Sequence, residues 1–141
     1  MKVFEINLPE GWRSFVDHNY KSYTPYKNRK KQFYSYASLY RVEFDNKPKS
    51  ILDYIERIRL NNRRFIKDIT EKIYSLESKF GKTYIYDYES IWKNKIRKSH
   101  IVIFKFRDEF YCFTYSSNKD EFHRYLDEAQ FIFENLKVAK D

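Results

Sequence analysis

Residues 100–136 read HIVIFKFRDEFYCFTYSSNKDEFHRYLDEAQFIFENL, and this stretch decides the fold. Residues 100–106 and 110–116 are rich in β-branched and aromatic side chains, which suit a pleated surface. Arg107-Asp108-Glu109 separates them, so the spacing predicts a hairpin. From Asn118 the period changes from two to that of a helix. Phe122, Tyr125, Leu126, Ala129, Ile132, Phe133 and Leu136 form one apolar stripe, and Glu121 stands at the capping-box offset from Asn118.

Upstream, residues 71–79 and 83–91 predict another hairpin around Phe80-Gly81-Lys82, with Tyr84, Tyr86 and Tyr88 on one face. Residues 92–99 carry Lys93, Lys95, Arg97 and Lys98 and read as a basic connection between the hairpins. Ser50 is a good N-cap for a helix reaching about Phe65. Its spacing puts Ile51, Ile55, Ile58, Phe65 and Ile66 on one face, and Arg59, Arg63, Arg64 and Lys67 away from it. Residues 32–44 read as a long strand with a small break at Ser38 and Leu39. Residues 17–31 read as a polar, basic loop. Residues 2–8 read as a first strand, closed by the Pro9-Glu10-Gly11 turn, with Trp12 as an anchor. Runs of antiparallel strands with two helices predict one α+β domain over residues 1–141. Its antiparallel sheet is flanked by two helices in a layered αβα sandwich.

The composition agrees. In 141 residues there are 14 Tyr, 13 Phe and 2 Trp, against 2 Gly and 3 Pro. Tyrosine lets a small core reach the surface without unpaired polar atoms, so most of these rings are expected to be interior. The length fits one domain with a real core, and no stretch approaches the ~20 apolar residues of a membrane span. The single cysteine, Cys112, excludes an intrachain disulfide framework.

Net charge is +8, and it is unevenly spread. Lys27, Arg29, Lys30 and Lys31 lie in an acid-free segment, and Arg59, Arg63, Arg64 and Lys67 form a second group. These eight residues are the candidate surface for a partner or a polyanion. Tyrosines interleave with cations at residues 20–29, the pattern of a stacking nucleic-acid surface. The same basic segment could be drawn to anionic lipid.

Chemistry is sparse in the sequence. His18, His100 and His123 lack metal-ligand spacing, and two glycines cannot build a phosphate loop. Cys112 sits mid-strand, where a buried inert thiol is expected. A Cys112–His100 pair across the second hairpin would be the one route to nucleophilic chemistry. The acidic pairs Asp108-Glu109, Asp120-Glu121 and Asp127-Glu128 read as a turn, a cap and a solvated helix face. No catalytic residue, cofactor or metal is expected.

Three stretches carry a resemblance. They are Leu8-Pro9-Glu10-Gly11-Trp12, Gly81-Lys82-Thr83-Tyr84, and the closing strand and helix with Tyr115-Ser116-Ser117, Asp120-Glu121-Phe122 and residues 131–136. With the element order, they resemble the Mog1/PsbP/DcrB-type proteins. Asn135-Leu136 stands where that family often has a Ser-Phe or Ser-Leu pair. The resemblance implies an accessory protein. The family includes photosystem-assembly subunits, a Ran-binding import factor, bacterial lipoproteins and chaperones for secreted effectors. The lipobox cysteine of the lipoprotein members is absent, and the basic charge departs from an effector chaperone. The expectation is therefore a non-catalytic adaptor that binds another protein. The alternative is a basic nucleic-acid-binding module. As the sequence stands the expected location is cytoplasmic, or extracytoplasmic as a lipoprotein if a leader precedes it.

Overall fold

The computed structural model describes residues 3–17, 20–25, 35–65, 69–92 and 94–140. The element order is β1 (Phe4–Glu5), β2 (Trp12–Asp17), β3 (Tyr20–Pro25), β4 (Tyr36–Arg41), α1 (Ile51–Phe65), β5 (Thr70–Ser78), β6 (Gly81–Trp92), β7 (Lys95–Phe106), β8 (Glu109–Asn118), α2 (Lys119–Glu134) and β9 (Lys137–Val138). Among the described residues the main sheet has seven strands in the order β2-β3-β4-β8-β7-β6-β5. Every pairing is antiparallel. A two-stranded ribbon joins β1 to β9.

Strand alternation assigns each side chain to one of two cores. On one face Ile85, Val102, Phe104, Tyr111, Phe113 and Tyr115 meet Phe122, Tyr125, Ala129, Ile132 and Phe133 of α2. On the other, Tyr86, Ile101, Ile103, Phe110 and Cys112 meet Ile51 and Ile55 of α1. The result is the expected α+β architecture, with the sheet between two helical layers. Tyr86 and Tyr115 are fully buried, and Tyr115 donates its hydroxyl to the Phe122 carbonyl at 2.7 Å. Tyr84, Tyr86 and Tyr88 all lie on the α1 side, as their period-two spacing requires.

Local chemistry explains the boundaries. Gly11 has φ 90°, which closes the turn that brings the Trp12 amide to the Pro9 carbonyl at 3.2 Å. The buried Trp12 ring then packs edge-on to Tyr125, and its Nε1 donates to Glu128 at 2.8 Å. Ser50 Oγ accepts the Asp53 amide at 3.2 Å and starts α1.

Several expectations are corrected. The first strand is two residues long, because Phe4 turns inward against Phe80, Phe104, Phe106 and Tyr111 and pairs with Val138. Residues 20–25, expected in a loop, are strand β3: alternation buries Ser22 and Thr24 as well as Tyr23, and pairing with β2 and β4 satisfies their backbone. The strand expected over 32–44 is described from Tyr36 to Arg41, unbroken at Ser38 and Leu39. Residues 92–99 are not a connection. They are the end of a β6–β7 hairpin turned at Asn94, whose φ is 64°. Phe65 is exposed, because the last turn of α1 is tethered by ion pairs to Glu71 rather than by apolar packing. Asn118 precedes α2 but makes no side-chain cap. Its Oδ1 instead accepts from Arg97 Nη1 at 3.2 Å. Glu121, expected in the helix cap, is buried.

Candidate functional site

The β6–β7 hairpin outruns its neighbours. Strand β5 begins at Thr70, opposite Glu89, and β8 ends at Asn118, opposite Arg97. Among the described residues the rungs Ile91–Ile96 and Trp92–Lys95 therefore pair only with each other. They extend the sheet by about 7 Å at strand spacing. Ile91 and Ile96 face each other across the ladder, and 64% and 43% of their surfaces are exposed. The two side chains form an apolar cross-strand pair whose outer surface faces solvent.

Register places Lys95, Arg97 and Lys98 at this same end of the sheet. Residues 90–98 contain four cations and no acid. Pro25 and Ser35 also stand there, since Thr24 Oγ1 donates to the Ser35 carbonyl at 2.7 Å and Ser35 Oγ bonds Ser117 Oγ at 2.7 Å. Lys27, Arg29, Lys30 and Lys31 fall between Pro25 and Ser35 and lie outside the described residues, as does Lys67. The C-terminal turn of α1 reaches the same end through Glu71, which pairs with Tyr88.

Arg59 and Arg63 are committed to that carboxylate. Arg59 Nε and Nη2 lie 3.0 and 2.9 Å from Glu71 Oε1, and Arg63 Nη2 lies 2.6 Å from the same oxygen. Tyr86 donates its hydroxyl to Oε2 at 2.7 Å. Burial pushes the Glu71 carboxyl up, but the bonds from Arg59, Tyr86 and Arg63 outweigh it and hold the group at about 2. Arg64 is exposed. The structure thus places Arg59 and Arg63 together around one acid and leaves Arg64 at the surface.

A separate constellation lies on the α2 face, and sequence spacing gave no sign of it. Asp87 is directly opposite His100 in the β6–β7 register, and His100 Nδ1 lies 2.6 Å from Asp87 Oδ1. Tyr74, on β5, donates its hydroxyl to Asp87 Oδ2 at 3.0 Å. Burial and the neighbouring carboxylate push the Tyr74 phenol up to about 12. His100 also lines a cavity of about 310 Å³ between the end of β5 and the C-terminal half of α2.

The Cys112–His100 pairing fails on topology. Cys112 belongs to the α1 core, whereas His100 is on the α2 face with Asp87 and Val102, so the sheet separates them. The thiol is fully buried, and burial pushes it up to about 11. Tyr54, whose hydroxyl is 3.7 Å from the sulfur, is pushed up by its own burial and by Cys112. Ser78 also lines the cavity, but its Oγ is held in the Gly81 turn by Thr83 at 2.7 Å. It stands about 20 Å of strand from His100. His123 is on the exposed side of α2. Among the described residues no three of His, Cys, Asp and Glu converge as metal ligands. Nor is any helix long and apolar enough to cross a membrane.

No protein-family model matches the sequence, and no curated protein matches it. Solved structures do match its fold. Cyanobacterial PsbP (CyanoP) from Synechocystis sp. PCC 6803 superimposes with a TM-score of 0.64 at 10% identity, over 99% of this chain and 94% of that one. A Pseudomonas aeruginosa protein of unknown function, PA94, gives 0.60 at 10% identity, over 100% and 88%. LpqN of Mycobacterium tuberculosis, involved in cell-envelope biogenesis, gives 0.56 at 11% identity, over 97% and 83%. None of these three is named for an enzymatic activity. At such identities the likeness is one of fold, and the fold is PsbP-like.

Proposed function

We propose that this chain is a non-catalytic accessory protein that docks an acidic partner protein on the end of its sheet bearing the β6–β7 hairpin. The observation that carries this reading is the uncovered Ile91–Ile96 pair on a hairpin that outruns both neighbouring strands. Protein interfaces place a desolvated apolar centre inside a polar rim, and Lys95 and Lys98 of the described hairpin supply such a rim. A net charge of +8 favours a partner of opposite sign and speeds its encounter. The non-catalytic part is supported by the sheet between Cys112 and His100, and by the neighbouring folds.

A nucleic-acid ligand is the competing reading. Arg59 and Arg63 favour it less now that both bond Glu71, because a phosphate would have to displace that carboxylate.

The test is a pair of charge substitutions at the tip, Ile91→Glu with Ile96→Glu, in the full chain. Each is expected to leave stability within about 0.5 kcal/mol, as exposed sites do. Their combination should remove binding to the purified acidic partner. Wild-type affinity retained by the double variant would refute the docking site. Affinity for duplex or single-stranded nucleic acid that falls steeply with salt and survives both substitutions would favour the competing reading.

A further inference from the structure

A second cavity, of about 790 Å³, opens where β3 and β4 part, and its size is within the range of small-molecule sites. Among the described residues those strands pair only at Ser22–Ser38 and Tyr23–Ala37, although β3 begins at Tyr20 and β4 runs on to Arg41. Lys21 lines the gap from one strand, and Leu39 and Arg41 line it from the other. Val3, Ile6 and Leu8, packed against the α2-side core, add apolar surface. The lining carries two cations, Lys21 and Arg41, and among the described residues no acid. Glu43 pairs with Arg41 at 3.1 Å from outside the cavity, and its side chain is 80% exposed. Two cations against that acid leave one surplus positive charge.

Arg41 stands directly opposite Tyr111 in the β4–β8 register. Tyr111 is 6% exposed, yet its hydroxyl bonds no group among the described residues. Nor is it sealed, since the one sealed hydroxyl without a partner among those residues is that of Tyr125. A hydrogen-bond donor on the lining is thus left for an acceptor from outside the protein. Burial pushes the Tyr111 phenol up against the pull of Arg41 and Arg107, and Glu109 adds to the rise, so the hydroxyl keeps its proton.

We infer that this cavity binds a medium-chain carboxylate, its head group held by Arg41 and Tyr111 with Lys21 across the gap, and its hydrocarbon chain against Leu39 and residues 3–8. A guanidinium and a hydroxyl both donate to a carboxylate, and the bond from the guanidinium is charge-assisted. A monoanion matches the one surplus positive charge, whereas a cation would meet Lys21 and Arg41. The Arg41–Glu43 pair is exposed and worth little, so it yields to a ligand held from several sides. The lining reaches from Ser14 on β2 to Tyr111 on β8, three strand spacings or about 14 Å, which accommodates an extended chain. Tyr111 lies near the β7–β8 turn, and the hairpin tip lies beyond the other end of β8. The two sites can fail independently.

The test is a titration of the full chain with sodium decanoate below its micelle concentration, followed by the methyl resonances of Leu8 and Leu39. Saturable shifts in both are expected, with an affinity that falls as salt rises. Decyltrimethylammonium keeps the chain and reverses the charge, and it should bind about tenfold more weakly or less. Hexanoate keeps the head group and lacks four methylenes, and it should bind about a hundredfold more weakly. Arg41→Gln and Tyr111→Phe should each weaken decanoate binding about tenfold, the loss of one bond to a charged group. Tyr111→Phe removes an unbonded hydroxyl and keeps the ring stacked on Phe104, so its melting temperature should not change. Arg41 has 51% of its side chain exposed, so its variant should also stay folded. The inference is overturned by any of three results. These are no saturable shift, decyltrimethylammonium bound as tightly as decanoate, or wild-type decanoate affinity in either folded variant.

Discussion

Glu71 is the residue on which the charge reading turns. Four contacts hold it ionised, and its side chain is 12% exposed. Its folded pKa of about 2 lies below the ordinary 4.5. A depressed carboxylate stabilises above its unfolded pKa, and the benefit fades as pH falls through the folded one. Glu71→Gln is therefore expected to cost about 2–3 kcal/mol at pH 7. The gap to wild type should narrow steadily below pH 4.5. Urea unfolding of both proteins at several pH values measures it, and a gap independent of pH would contradict the ion-pair account. Cys112 makes an opposite case. Its thiol is fully buried and raised to about 11, so native protein at pH 8 should resist iodoacetamide and react only once unfolded. Cys112→Ala should cost about 1–2 kcal/mol for the space it leaves. The burial of the thiol was legible from its mid-strand position between Tyr111 and Phe113. Glu71, Asp87 and Tyr74 were not, because their partners come from other elements and depend on register and packing.

At the scale of elements, period and turn chemistry carried most of the reading. Both helices and both hairpins were legible, since each combines an apolar period with a defined stop. Strand β3 was missed because Lys21 and Pro25 at its ends look like loop residues, although its centre is buried. The β6–β7 tip was missed because its cations hid a period-two pattern that the Ile91–Ile96 pairing reveals. The β7–β8 turn offers a direct check on local geometry. Arg107 and Asp108 have φ of 51° and 65°, both in the left-handed region, which non-glycine residues occupy at a cost. Replacing them with Asn-Gly should stabilise the protein by about 0.5–1 kcal/mol. Asp108 is 85% exposed, so its loose pairs with Lys47 and Lys105 subtract little. Thermal unfolding measures the gain, and a loss of stability would contradict the assigned turn.

At the scale of the molecule, strand alternation does the sorting. It sends Cys112 and His100 to opposite cores, Glu71 to the α1 side where Arg59 and Arg63 of the helix meet it, and the Asp87–His100 pair to the side of the α2 cavity. The aromatic content suggested a packed sheet, and among the described residues Trp12, Tyr86, Phe104, Phe110, Phe113 and Tyr115 are interior. No motif in the sequence points to a function, and a docking surface of the kind proposed needs none. The hairpin tip with its exposed Ile91–Ile96 pair is the proposed docking site. The most direct measurement places a photo-crosslinking amino acid at Ile91, with Val16 on the distant strand β2 as control, and irradiates the full chain in its native cells. One discrete adduct with an acidic protein is predicted from position 91. Its yield in extracts should fall as salt rises, and position 16 should give none. Equal adducts from both positions, or an adduct to nucleic acid or lipid in place of protein, would contradict the account.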